Sequence, residues 1–501
     1  MVKGAYLFPL IAAILLAVLE SDLLYRLQEQ NLFLHSPLFF EQQTVKAGGV
    51  LTWTGCYLTQ FFYYPMLGAG LLCLLWVFLM WMLSRAFHIP SSWMPLTLVP
   101  VACLLLTIVD LGYWTYYLKL PGHAFDATIG SIVAVGLVWI YRILPRRYGL
   151  SVLFIAFSTC ISYPLFGFYG LLATMLMGII AWQMKGGHLT DSIAALLAII
   201  MVPWVCYQYA YHETNLVNIY WTALPVFAMR QESYFAYNLP YVALVASLVL
   251  LAVGRPAKIN KWIQTAVLTA TVCCVTIFWY KDGNFHKELS MSRSIEQQDW
   301  QEVLNTAKTV KDEPTRAMCM MQNLALFRLG KQGKELFNYP NGAKRPDAPF
   351  PIRMVHTFGK MLYLQYGIPN YCFRWCVEDG VEYGWSVEKL KLMVKCSILN
   401  GESVAAQRFV NMLKKTDFHK EWAKKYEEYI YNPHLVIQDR ELGPILPLLR
   451  SDDFLTGDQS QLEMFLIEHI LSGPGATLEQ QDLAAMTMYY YKNNPYKIAE
   501  Q

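Results

Sequence analysis

Glu20-Ser21-Asp22 places two carboxylates two positions apart, directly after an apolar run that begins at residue 5. Carboxylates at the mouth of an apolar segment suit two kinds of chemistry. Their hard oxygens bind a divalent cation, and an ionised carboxylate takes a proton from an acceptor hydroxyl. Glu20 and Asp22 are therefore the candidate catalytic residues, and a divalent cation is the candidate cofactor. The competing reading is solvation of two acids at the lipid headgroup level. A second group lies in the stretch 208–238, where Arg230 sits among Tyr209, Tyr211, Tyr220, Trp221 and Phe227. A guanidinium forks onto a phosphate, and aromatic faces stack on sugars. Arg230, His212, Tyr211 and Trp221 are the candidate substrate-binding residues, with His212-Glu213 as a proton-transfer pair. An aromatic belt with a snorkelling arginine explains the same loop without chemistry. His35 and His123 read as interfacial side chains, and Asp110 and Asp126 are further acids by placement alone.

The elements behind these residues follow from how charge is distributed. The chain has 501 residues, 15% charged and 55% hydrophobic, with a mean hydropathy of +0.29. Through Tyr280 there are 13 Lys/Arg and 9 Asp/Glu, and 27 and 28 follow from Lys281 onward. That is about 8% charge before the boundary and about 25% after it, the second value being ordinary for a soluble domain. The expected architecture is all-α: a polytopic membrane domain over 1–280, then a soluble helical domain over 281–501. A net charge of +3 with no basic tract gives no reason to expect nucleic acid.

A hydrocarbon core takes about 20 apolar residues per helix. Nine spans are expected, over 5–20, 66–84, 93–110, 127–143, 148–164, 168–184, 190–207, 239–254 and 262–280. The Gly- and aromatic-rich segment 47–65 reads as interfacial or re-entrant. With the N-terminus inside, the inner loops hold Lys3, Arg85, Arg142, Arg146, Arg147, Lys185, Arg255, Lys258 and Lys261, and the outer loops hold Arg26, Lys46, Lys119 and Arg230. This satisfies the positive-inside rule. It places the tail, and the loops 20–65 and 208–238, in the periplasm of a bacterial inner membrane. The exit Ala17-Val18-Leu19-Glu20-Ser21-Asp22 offers no small-x-small cleavage site, so an uncleaved anchor is expected.

The tail reads as short helices joined by Gly, Pro and Asn turns. Ser294-x-x-Gln297 looks like a capping box opening a helix that carries Trp300 and Val303. Pro314 precedes a helix over 315–329 closed by Gly330, and others are expected at 352–366, 369–383, 386–399, 402–415, 419–431, 460–471 and 477–492. Lys391 to Leu413, with its Gly401 turn and paired Ala405-Ala406, resembles a tetratricopeptide-type unit. An irregular helical bundle is the alternative. Cys372 and Cys376 would share one helix face, where a disulfide is geometrically awkward, so buried inert thiols are expected.

The sequence contains no dinucleotide fingerprint, phosphate-binding loop, H-E-x-x-H or G-x-S-x-G. An acid pair after the first span, a long aromatic outer loop (Leu58 to Pro65) and a C-terminal soluble domain resemble the GT-C superfamily of membrane glycosyl and oligosaccharyl transferases. That resemblance implies a sugar donor carried on polyprenyl phosphate in the bilayer. The phrases LTQFFYYPMLG (58–68) and YKDGNFHKEL (280–289) also resemble an uncharacterised polytopic family of Bacteroidota, a likeness that covers nearly the whole chain and implies no activity. Three functions stay open: a GT-C-like transferase, a membrane-anchored scaffold whose tail binds a periplasmic protein, and a carrier of lipid-linked substrate.

Overall fold

The computed structural model describes residues 6–145, 149–183, 189–229, 232–254, 260–331 and 335–449, with Leu462. The expected helices at 460–471 and 477–492 lie outside them, as do Lys3, Arg146, Arg147, Lys185, Arg255 and Lys258. The fold is helical; Ala228–Met229 and Glu232–Ser233 form a two-residue antiparallel pair. The chain divides into two compact units, one of 1–111 and 118–280, the other of 112–117 and 281–501.

The first unit contains α1 (Leu7–Leu19), α2 (Ser21–Glu29), α3 (Pro37–Thr44), α4 (Gly49–Thr59), α5 (Pro65–Ala86), α6 (Leu98–Val109), α7 (His123–Ile143), α8 (Leu150–Phe166), α9 (Phe168–Gln183), α10 (Leu189–Tyr209), α11 (Leu239–Val253) and α12 (Lys261–Phe278). Among the described residues, five helices are long and apolar enough to cross a membrane, or seven when each of two bent helix pairs counts as one span. The shorter α8 and α9 are apolar too. Their sequences explain the form: runs of Leu, Ile, Val and Phe with almost no charge, with α8 and α11 each followed directly by a glycine.

Burial sorts these helices. The stretch Ser91–Val109, which ends in α6, is 78% buried, so it is central; α10 is 22% buried and exposes Leu196, Leu197 and Trp204. An apolar surface of that extent calls for a lipid or protein partner. Polar ties fix the packing. The Trp76 indole donates to Thr128 Oγ1 at 3.2 Å, joining α5 to α7. Tyr141 and Ser151 donate to the two oxygens of Asp191 at 2.8 and 3.0 Å, joining α7 and α8 to α10. The α8–α9 turn is a single residue, Gly167, at φ +55°. The hydroxyls of Thr159 and Thr174, on its two arms, meet at 2.7 Å.

The second unit contains α13 (Gly283–Glu296), α14 (Trp300–Lys308), α15 (Arg316–Arg328), α16 (Gly359–Gln365), α17 (Pro369–Tyr383), α18 (Val387–Leu399), α19 (Ser403–Leu413) and α20 (Lys420–Tyr431). Caps set half of these starts: Asp282, Asp299, Thr315 and Ser386 each accept a backbone N–H of the first turn. The expected capping box at Ser294 is overturned. Ser294 lies inside α13, whose buried Phe285, Leu289, Met291 and Ile295 keep it helical through Glu296, and Asp299 is the cap of α14. The expected helix over 352–366 is broken into a 3₁₀ turn, Met354–His356, and the seven-residue α16.

Gly112–Tyr117, a 3₁₀ segment whose chain neighbours belong to the first unit, folds as part of the second. Tyr113, Trp114, Tyr116 and Tyr117 are all buried. Tyr113 meets Phe285 at 4.8 Å between centroids, Trp114 meets Phe350 at 4.5 Å, and Tyr116 meets Phe358 at 5.6 Å. The Tyr113 hydroxyl donates to Glu288 Oε2 at 2.6 Å, and Thr315 donates to Oε1 of the same carboxyl.

Candidate functional site

The first helix breaks at the acid pair. Helix α2 leaves α1 at 79°, and Glu20 occupies the corner with a non-helical backbone. Glu20 is buried, and the Trp279 indole donates to its Oε1 at 2.7 Å. Asp22, in the first turn of α2, is only half-buried; a carboxylate there complements the helix dipole. The two acids are thus separated in role: one is held in the protein by an indole, the other stands at a helix start. Among the described residues, no group of three or more His, Cys, Asp or Glu side chains could hold a metal ion. With one Glu20 oxygen already engaged, the pair does not fit a dedicated divalent-cation site.

Helix α2 buries more charge than its apolar neighbours. Beside Leu23, Leu24 and Leu27 it buries Arg26, Gln28 and Glu29. Arg26 and Glu29 are three apart and so neighbours on a helix surface, a spacing visible in the sequence, but one that the outer-loop cation count did not single out.

A second polar locus forms where α4 meets α7. Thr52, Gly55, Cys56 and Thr59 follow the i, i+3, i+4, i+7 rule on α4, and all are buried. Gly55 is required there: a Cβ would fall 1.8 Å from Asp126 Oδ1 and 2.7 Å from the Gly122 carbonyl. Asp126 is 2% exposed, and neither of its oxygens has a hydrogen-bond partner among the described residues. His123 Nε2, Thr52 Oγ1 and Asn31 Oδ1 are likewise buried without a partner there. Asn31 is tied to α4 through its Nδ2, which donates to the Cys56 carbonyl at 2.9 Å. The titratable groups near enough to couple to Asp126 are Lys46, Cys56, Tyr169 and Tyr241.

The loop of candidate binding residues gathers elsewhere in the same unit. Tyr211 packs, half-buried, with Tyr220, Val202 and Cys206 on a core of Ala47, Tyr163 and Leu171. Trp221 is 57% exposed and stacks on Phe168 at 6.2 Å and 18°. Phe168 N–H donates to the Thr222 carbonyl at 2.9 Å, fastening this loop to the α8–α9 apex. His212 and Glu213 are exposed. Arg230 lies outside the described residues. The structure therefore brings Tyr211 and Trp221 to one apex, while Glu20 and Asp22 belong to the corner formed with Trp279.

The second unit holds a polar cluster that sequence spacing did not reveal. Lys360 Nζ reaches Asp379 Oδ2 at 2.5 Å and also donates to the carbonyls of Val355 and His356. His356 Nδ1 is 2.7 Å from Asp379 Oδ1, and rings of Tyr117, Trp375 and Tyr383 surround the imidazole at 5.5–5.6 Å. Burial would push the Asp379 carboxyl up, but Lys360 and His356 hold it well below the usual carboxylate range. Cys372, Cys376 and Cys396 are fully buried, and burial pushes the first two thiols well up, as expected for inert thiols.

No curated protein and no solved structure matches the chain. One family comparison does match, and it covers nearly all of the chain, through both units and every residue discussed above: the protein belongs to the Family of unknown function (DUF6057), matched over residues 2–491.

Proposed function

We propose that the protein is a GT-C-like glycosyl or oligosaccharyl transferase of a bacterial inner membrane, acting on a lipid-linked sugar at its periplasmic face. The observation that carries this reading is the corner at Glu20. One helix buries Arg26 and Glu29, and a third charged residue, Glu20, lies buried at its start, in a unit whose other buried ionisable residues are few. Charge is expensive in an apolar interior and marks function there by default. In this reading Arg26 forks onto the donor phosphate, taking the role first given to Arg230, and Glu20 or Glu29 receives the acceptor's proton. The exposed Trp221 and its stacked Phe168 offer a face to a sugar ring.

The membrane arrangement in this proposal has nine spans, made by α1, α5, the stretch ending in α6, and α7 to α12, with the N-terminus cytoplasmic. One fact bears on the parity of that count. Gly112–Tyr117 belongs to the tail's unit, and in this arrangement the turn between α6 and α7 opens on the tail's side of the bilayer. The six helices α7 to α12 lie between that turn and the tail, and an even number returns the chain to the same side.

Arg26→Gln should lower glycan modification of the cell envelope about a hundredfold, the scale of losing a charge-assisted phosphate contact, at unchanged protein level. Glycan mass spectrometry of the envelope fraction provides the readout. Full modification in Arg26→Gln, Glu20→Gln and Glu29→Gln alike would end the proposal.

A scaffold is the second reading. Successive tail helices α17, α18, α19 and α20 pack each on the next, which supports a tetratricopeptide-like stack presenting a surface to a periplasmic protein.

A further inference from the structure

We propose that Asp126 is the binding site for one monovalent cation, a proton or a sodium ion, inside the membrane unit. The inference stands apart from the transferase reading and uses none of its residues.

A carboxylate taken from water without hydrogen bonds is costly as a bare anion, so such a group is neutralised by a proton or accompanied by a cation. Asp126 is in that position: 2% exposed, with neither oxygen hydrogen-bonded among the described residues. The charged and titratable groups that face it are Lys46, ahead of α4, Cys56 on α4, Tyr169 on α9 and Tyr241 on α11, with His123 one turn earlier on its own helix. Lys46 provides long-range attraction only.

The surroundings limit the size of the occupant. Gly55 and Gly122 let two backbones close on the carboxyl, and a single methyl at Gly55 would collide with it. An occupant must therefore be smaller than a sugar or a phosphate. The other buried, unpartnered atoms on the facing segments are oxygens, Thr52 Oγ1 and Asn31 Oδ1, the donor type that hard cations take. For a proton, the unpartnered Nε2 of His123 is the relay one turn away. A multivalent metal is not supported, because no cluster of three His, Cys, Asp or Glu ligands is present among the described residues.

Infrared difference spectra of the full chain in lipid nanodiscs test this. Between mildly acidic and mildly alkaline buffer, the carbonyl stretch of a protonated carboxyl should be lost, and Asp126→Asn should lack that band. If that variant fails to fold, Asp126→Glu should shift the band instead. Titrating sodium chloride against choline chloride at fixed acidic pH separates the occupants. A band removed by sodium alone identifies a sodium site in competition with the proton, and a band indifferent to sodium identifies a proton site. A band at Asp126 that persists unchanged across pH and salt, or no band assignable to Asp126 at any pH, overturns the proposal. Envelope glycan measurements on Arg26→Gln are unaffected by either result.

Discussion

The two units bury acids in different company. In the first, Asp191 is held by the hydroxyls of Tyr141 and Ser151, and Glu20 by the indole of Trp279. In the second, buried lysines meet carboxylates: Lys360 with Asp379, Lys391 with Glu296 and Lys395 with Glu441. The difference follows from composition. The first unit has few cations to spare, so Asp191 and one oxygen of Glu20 take neutral donors, which tolerate an uncharged acceptor, and Asp126 has no hydrogen-bond partner among the described residues. The second unit has ordinary charge density and sets several of its buried charges against opposite ones, although Glu288 is held by the hydroxyls of Tyr113 and Thr315. A pair of that kind is sensitive to loss of either member, because the survivor is left buried and uncompensated.

The sharpest way to break this comparison is to remove one charge. Lys360→Met should destabilise the second unit by about 3–5 kcal/mol, read by chemical denaturation of the full chain, and adding Asp379→Leu should recover much of the loss. A cost below about 1 kcal/mol would show that the pair behaves like a surface one.

The next effect depends on pH. Burial pushes the Glu288 carboxyl up to about 7, against the opposing hydrogen bonds from Thr315 and Tyr113. A folded-state value above the unfolded one means that folding favours the protonated form. The stability this provides is complete below the unfolded carboxyl range and is lost as pH rises through about 7. The loss should approach roughly 3 kcal/mol in alkaline buffer, and Glu288→Gln should flatten the profile. Unfolding midpoints across that range give the measurement; a profile equally steep in Glu288→Gln would assign the titration elsewhere.

The smallest effect sharpens the contrast from the other side. Asp191→Asn keeps an acceptor for a neutral hydroxyl and should cost under about 1 kcal/mol, whereas Asp191→Ala strands the Tyr141 and Ser151 hydroxyls at about 1–3 kcal/mol. Equal costs for the two variants would show that the charge, not the acceptor, holds these three helices.

What the sequence revealed was local or compositional. Runs of apolar residues located α5, α7 and α10, and Pro369, Ser386 and Gly401 marked tail helix ends within a residue or two. What it concealed was long-range. Ser294-x-x-Gln297 is a sound local cap signal, but packing of Ile295 and Leu289 overrode it. Asp126 was picked out only by placement, since nothing near it in sequence announces Gly55. The Glu20 corner was visible as two acids, yet the 79° turn and the burial of Arg26 and Glu29 depend on how α2 folds back beside its neighbours. The aromatic run at 112–117 belongs to the other unit, which only tertiary contact shows.

That last segment bears on how the chain is made. Tyr113, Trp114, Tyr116 and Tyr117 leave the ribosome long before Lys281, and their final neighbours do not yet exist. Their ring partners are absent until Phe285, Phe350 and Phe358 are synthesised. A chain severed after Tyr280 is therefore not two finished proteins: the later piece lacks four aromatic residues of its own interior. Completion of the tail becomes a quality check on everything threaded before it.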